Sequence, residues 1–300
     1  VTARADPAAR STTAPPLAAE PAMVSSPAIA ALPMYDYPEL NAAHDALWAA
    51  LAESLDAAGI AAVPPALTRG RGHLDIWRDP RLLLAQACEY PLARGLAGCI
   101  RVVATPRYTA PGCDAGMYRS AVVVRGDDPA ESLADLRGRR CAVNEPDSNS
   151  GMNLLRAAVA PLAGGLRFFE SVVYSGSHRR SADMVRAGLA DVAAIDCVSW
   201  AHFARLYPRT VDCLKVLCWT DPSPSLPLIT AEATGEATVT ALRAALARVQ
   251  SAPGLAALRA QLFLDGFDFP SPGAGPATGG FDTVRRLERR AADLAYPVLE

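Results

Sequence analysis

Apolar positions change period along this chain, and the changes lay out its elements. Ala28 to Pro33 is a short apolar run that fits a buried strand. From Asn41, a cap residue, Leu47, Trp48, Leu51 and Leu55 recur at helical spacing until Gly59 stops them. Ile60 to Leu67 is a second strand candidate, weakened by Pro64 and Pro65, and Leu82 to Cys88 and Ile100 to Ala104 are strands. Such alternation predicts an α/β chain with a largely parallel sheet.

The period then switches three times in succession between residues 119 and 212. Tyr118 to Arg125 holds the strand core Ala121 to Val124, and Glu131 to Leu136 is a short helix ending at Gly138. Cys141 to Val143 is a strand, Asn144 to Asn149 a polar loop, and from Gly151 the pattern is helical, with Met152, Leu155 and Val159 on one stripe. Leu166 to Tyr174 and Asp191 to Ile195 are strands, each followed by a helix that Ser177 or Asp196 caps. In a parallel open sheet these loops emerge at one edge, where ligands bind. Val211 to Thr220 is a long strand candidate. Beyond it come helices over Thr238 to Ser251 and Pro253 to Phe263, a Gly/Pro loop over Pro270 to Gly280, and an amphipathic helix over Phe281 to Ala295.

The loop before the Gly151 helix carries the candidate chemistry. Ser148 or Asp147 caps the helix, whose free backbone N–H groups and positive dipole end lie beside the hydroxyls of Ser148 and Ser150, while Gly151 permits close approach. Ordinary caps outnumber anion seats, so this loop alone reads as a capped helix. Convergence of three polar loops on one edge favours an oxyanion seat.

Composition narrows the function classes. The net charge of −2 gives no electrostatic case for nucleic acid or an anionic membrane surface. The seven cysteines are scattered with no C-x-x-C or zinc spacing, and read as small buried hydrophobes in a reducing compartment, one or two disulfides being left open. No apolar run reaches the length of a membrane span. Val1 to Ser26 has no hydrophobic period and no signal-peptide core; residues 1–27 are expected to be a disordered extension, with Met23 a candidate start. On these grounds the expected location is cytoplasmic, or periplasmic if the N-terminus is mis-assigned. No G-x-S-x-G, Walker A, H-E-x-x-H or EF-hand string occurs, and Gly70-Arg-Gly72 fails as a dinucleotide motif. The sequence implies no cofactor, no metal site and no catalytic constellation.

Several segments resemble a known family: Gln86-Ala-Cys-Glu-Tyr-Pro-Leu92, Tyr118-Arg-Ser120, Asp135-Leu-Arg-Gly138, Ser148-Asn-Ser-Gly151, Gly176-Ser-His178, and Gly188 to Asp196. In order and spacing they resemble the type II periplasmic-binding-protein superfamily, specifically the phosphate/phosphite/phosphonate-binding components of ABC importers. The resemblance implies two α/β lobes joined by two hinge strands, at Tyr118 to Arg125 and Val211 to Thr220, with 28–118 plus 216–300 as lobe I and 119–215 as lobe II. It implies a monomer that binds a small phosphorus oxyanion in the interlobe cleft and closes by hinge motion without itself entering the membrane, either as the binding component of an ABC importer with a permease partner or as a cytoplasmic orphan of that family. The oxyanion is expected at Ser148, Asn149, Ser150 and Gly151, with Ser120, Ser177 and His178 as further donors. Asp36, Glu89 and Asp196 would meet a P–OH proton or an ammonium group, and Tyr35 and Tyr90 would wall the other end. The alternative is an enzyme on the same fold, such as a thiamine-precursor (pyrimidine) synthase, which four dispersed histidines disfavour.

Overall fold

The computed structural model describes residues 28–271, 281–294, 296 and 299. The expectations for residues 1–27, for Met23 and for most of the 270–280 loop fall outside them. The chain enters as β1 (Ile29–Ala31), forms α1 (Asn41–Ala57) and α2 (His73–Trp77), and returns as β2 (Leu82–Gln86). The short α3 (Glu89–Pro91) and a π-helical turn over Leu92–Leu96 lead to β3 (Ile100–Tyr108). After β4 (Met117–Tyr118) come β5 (Ser120–Arg125), β6 (Arg140–Val143), a π-helical turn over Asn149–Asn153 that runs into α4 (Leu154–Ala163), and β7 (Ser171–Tyr174). Then follow α5 (His178–Arg186), β8 (Val192–Asp196), α6 (Cys197–Leu206), α7 (Pro208–Val211) and β9 (Leu214–Trp219). The return through β10 (Ser223–Pro224) adds β11 (Leu228–Ala231), α8 (Glu236–Ser251), α9 (Ala256–Gln261), β12 (Leu264–Asp268) and α10 (Phe281–Asp293).

Two five-stranded sheets result, in the orders β1-β2-β11-β3-β12 and β7-β6-β8-β5-β9, and the antiparallel pair β4-β10 lies between them. The β1–β2, β6–β7 and β6–β8 pairs are parallel. Antiparallel pairing within the sheets is confined to ladders that include β5, β9, β11 or β12, the strands that cross over or return. The molecule is thus a two-lobed α/β protein with helices flanking both sheets. All six residues of β9, Leu214–Trp219, lie in the second sheet.

The elements follow their sequence logic, with instructive departures. On α1, Leu47, Trp48, Leu51 and Leu55 are buried as the helical spacing requires, and burying each such side chain stabilises by roughly 1.5–3 kcal/mol. Asn41 does not cap this helix; it is its first residue, behind a 3-10 turn over Pro38–Leu40. Ile60 to Leu67 forms no strand. Its prolines withhold ladder donors, and the Pro64 carbonyl instead accepts a hydrogen bond from the buried Trp48 indole at 2.9 Å. Leu166 to Tyr174 is strand only from Ser171, because Phe168 and Phe169 turn into the core in an edge-to-face pair. At the far end of the chain β12 occupies residues just past the helix expected to end at Phe263, which itself takes a positive φ of 54°.

Candidate functional site

Three helix starts face one cleft. At the first, Ser148 has extended backbone and its Oγ accepts from the Gly151 N–H at 3.0 Å, so the sequence-expected cap is made here. The second is Ser177, whose Oγ accepts from the Arg180 N–H at 3.2 Å. The third is Asp196, whose Oδ1 accepts from the Ser199 N–H at 2.9 Å. The caps stand at the C-terminal side of β6, β7 and β8, three neighbouring strands of the second sheet.

Side chains lock the first start to the second and to β5. Ser150 Oγ lies 2.9 Å from His178 Nε2, and the Ser150 carbonyl accepts from Ser120 Oγ, also at 2.9 Å. Gly151 is tightly approached: a Cβ there would stand 1.7 Å from Asn144 Oδ1, so a larger residue requires the Asn144 side chain to move. Asn149, wholly buried, donates through Nδ2 to Tyr118 Oη and Ser223 Oγ, both at 2.9 Å, and its Oδ1 accepts from Asn153. Asn149 therefore ties the helix start to β4 and β10, the crossing pair, and is not among the residues that line the cleft.

The cleft is a cavity of about 200 Å³. Ser148, Ser150, Ser177, His178 and Asp196 line one side, with Asn144, Glu145 and Asp147. Tyr35, Asp36, Tyr37, His73 and Trp77 line the other. Of the remaining expected residues, Ser120 and Gly151 support the seat from behind. Tyr90 turns away: its hydroxyl donates to Glu288 Oε1 at 3.0 Å, with Arg94 over its ring. Glu89 is buried at the start of α3, and its Oε2 has no hydrogen-bond partner among the described residues. Burial pushes its carboxyl far up, toward the neutral acid.

The electrostatics are unusual for an anion site. Among the described lining residues there is no Arg and no Lys, while Asp36, Glu145, Asp147 and Asp196 are all present. Burial lowers His178 to about 4, so its imidazole is neutral at pH 7. Burial raises Asp196 to about 6, opposed by hydrogen bonds from the Ser199 N–H and from the Tyr35 hydroxyl, which stands 3.1 Å from Oδ2. Burial also pushes Asp36 up, but hydrogen bonds from His44 and Arg69 outweigh it and hold this carboxyl below its ordinary range. Arg69 donates to both Asp36 oxygens, at 2.6 and 3.1 Å, so Asp36 is already partnered.

Sequence reasoning missed part of this lining. His73 and Trp77 stack with ring centroids 5.6 Å apart on α2, a five-residue helix that was not expected. Their i, i+4 spacing directly after Gly72 was the available signal. Tyr37, which donates to Ser199 Oγ at 2.8 Å, adjoins the expected Tyr35 and Asp36. No group of three or more His, Cys, Asp or Glu among the described residues is placed to hold a metal ion. No described helix is long and apolar enough to cross a membrane.

A family model described as "ABC transporter, phosphonate, periplasmic substrate-binding protein" matches residues 29–272. No curated protein matches the chain. Among solved structures, PhnD1 from Prochlorococcus marinus in complex with methylphosphonate is similar at TM-score 0.70 and 15% identity, over 89% of this chain and 98% of that one. XAC2383 from Xanthomonas citri, bound to chloride, aligns at 0.66 and 17%, over 90% and 99%. The binding-protein component of an ABC phosphonate transporter from Pseudomonas aeruginosa aligns at 0.64 and 15%, over 89% and 96%. At these identities the structural likeness speaks for the fold. The matching family is periplasmic, which overturns the cytoplasmic expectation. That expectation took unpaired cysteines as a compartment signal, whereas a thiol such as Cys141 is a packing atom in a core and says nothing of redox surroundings. The family is also one of substrate-binding proteins and not of enzymes. With residues 29–272 matched, the chain belongs to the periplasmic substrate-binding proteins of phosphonate ABC transporters.

Proposed function

We propose that this solute-binding protein takes a small phosphonate, or phosphate or phosphite, that carries a proton on phosphorus-bound oxygen or an ammonium group, and presents it to an ABC permease. One observation carries the reading: a helix start bearing two serines opens on a cleft whose described lining has four carboxylates and no Arg or Lys. Backbone N–H groups and hydroxyls from Ser148, Ser150 and Ser177, with neutral His178, supply donors to phosphorus-bound oxygens without a formal cation. A fully ionised anion would be repelled by Asp196 and Asp147; a P–OH or ammonium donor turns Asp196 from an opponent into an acceptor. Tyr35 and Trp77 form the wall for the organic substituent. In this reading the lobes divide at 118/119 and, on the return, after Trp219. They close on the ligand as a monomer by bending at β4 and β10.

Titration calorimetry with methylphosphonate, phosphate, phosphite and 2-aminoethylphosphonate tests it. Ser150→Ala should weaken every ligand by about 1–3 kcal/mol, the cost of a lost charge-assisted bond. Asp196→Asn should weaken chiefly ligands with an ammonium or P–OH donor. Wild-type affinity in both variants would place the ligand elsewhere.

A further inference from the structure

Of the seven thiols, two meet: Cys113 Sγ and Cys197 Sγ stand 3.3 Å apart across 84 positions of sequence. Cys113 lies in the loop that leaves β3 of the first sheet. That loop is anchored to the same lobe by the Thr109 N–H, which donates to the Phe263 carbonyl at 2.8 Å. Cys197 is the first residue of α6 in the second lobe, directly after Asp196 of the cleft, and its N–H donates to the Arg119 carbonyl. The contact therefore spans the two lobes beside the crossing pair β4-β10. Its closeness is built in by Gly112. This residue takes a φ of +97°, and a Cβ there would meet the Trp219 ring at 2.7 Å and Cys197 Cβ at 2.9 Å, so only glycine lets the loop descend onto α6.

We propose that Cys113 and Cys197 are a modification site: they join as a disulfide that ties the first-lobe loop to the start of α6. The sulfurs need to approach by a little over 1 Å to reach bonding distance of about 2.05 Å, a movement within reach of a surface loop. Half-buried Cys113 is the accessible member of the pair, and buried Cys197 is the resolving one. The Cys113 thiolate attacks one sulfur of an oxidised disulfide donor, forming a mixed disulfide and releasing one donor thiol. Cys197 sulfur then displaces the second donor thiol as the Cys113–Cys197 bond forms. Two electrons and two hydrogens pass from the protein's thiols to the donor's two sulfurs, so the exchange balances. The periplasmic family supplies the oxidising setting such a step requires. The tie would hold Asp196, through its neighbour, at a fixed separation from the first lobe whatever ligand occupies the cleft.

The full chain is treated with oxidised glutathione or with a phosphine reductant, then alkylated in denaturant and mapped by mass spectrometry. Oxidation should lower the titratable thiols from seven to five and yield a linked peptide pair containing Cys113 and Cys197. Cys113→Ser should show six thiols under both treatments. Hydrogen exchange reads the mechanical consequence: amides of residues 113–118 and 197–200 should exchange at least about threefold more slowly in the oxidised wild type, with no redox dependence in Cys113→Ser. Seven thiols after oxidation, a linked pair elsewhere, or exchange that ignores the redox state would each overturn the proposal.

Discussion

The two walls of the cleft are built on opposite plans. The second-lobe wall is made of helix starts, each organised by a side chain that caps its own backbone three residues on: Ser148 to Gly151, Ser177 to Arg180, Asp196 to Ser199. The first-lobe wall is assembled from distant pieces, with Tyr35 reaching across to Asp196, and Asp36 held by Arg69 and His44. One wall offers rigid dipoles; the other offers aromatic faces and an acid already neutralised. The difference teaches where tolerance lies. A local cap fails when its own few residues change, whereas the opposite wall touches the seat by hydrogen bonds only through Tyr35 and Tyr37 among the described lining residues and can be rebuilt elsewhere without disturbing it. In the proposed binding mode, the phosphorus end would meet the wall of caps and the organic end the wall assembled from distant pieces.

That contrast is open to breakage. Gly151→Ala should do the most harm, because its new Cβ falls on the Asn144 side chain, which must move away or push the helix start aside. An overpacking cost of about 3 kcal/mol is expected, with loss of methylphosphonate binding, seen as a thermal transition lowered by several degrees. An unchanged melting temperature would show the seat to be softer than described.

A pH experiment comes next. Asp196 has its folded value raised to about 6 by burial, above the value near 3.9 of an unfolded Asp. The native state then binds more protons between these values, so this carboxyl's contribution is fully present below about pH 4 and lost as pH rises through about 6. Denaturant unfolding should show wild type losing about 3 kcal/mol across that window relative to Asp196→Asn, which has no such proton to lose. Parallel curves for the two proteins would mean that Asp196 is not charged at a cost in the empty cleft.

The first-lobe wall should be the most forgiving. Arg69→Gln removes the partner of Asp36 in a partly exposed pair, and exposed ion pairs contribute little, so a stability change of about 0.5–1 kcal/mol is expected, with methylphosphonate affinity within about twofold of wild type. A tenfold loss of affinity would erase the distinction between the walls.

The same contrast explains what the sequence disclosed. The caps were legible because cap and partner lie three residues apart, and Gly59, Gly138 and Gly188 marked turns through the positive φ they adopt. The first-lobe wall was legible only at Tyr35 and Asp36, because its logic is otherwise tertiary. Nothing near Tyr90 announces that its hydroxyl will meet Glu288, 198 positions on, or that Asp36 will pair with Arg69. The five residues of α2 are too few to display a helical period, and Leu264-Asp-Gly-Phe-Asp268 carries a glycine and two acids that hide strand β12. Asn149 shows a third kind of limit: it sits in the helix-start motif, while its side chain serves β4 and β10.

The lack of Arg and Lys among the described lining residues has a consequence for how the protein meets changing surroundings. Sites that seize anions with guanidinium or ammonium groups lose grip as ionic strength rises, since mobile ions screen over a Debye length of about 8 Å at physiological salt. In the proposed binding mode the attraction would come from dipoles at hydrogen-bond range, which salt scarcely touches, while the carboxylates of the cleft oppose a fully ionised anion. Added salt would then shield the opposition and leave the attraction intact. Under that binding mode, a fully ionised phosphonate would be held no less firmly in brine than in fresh water.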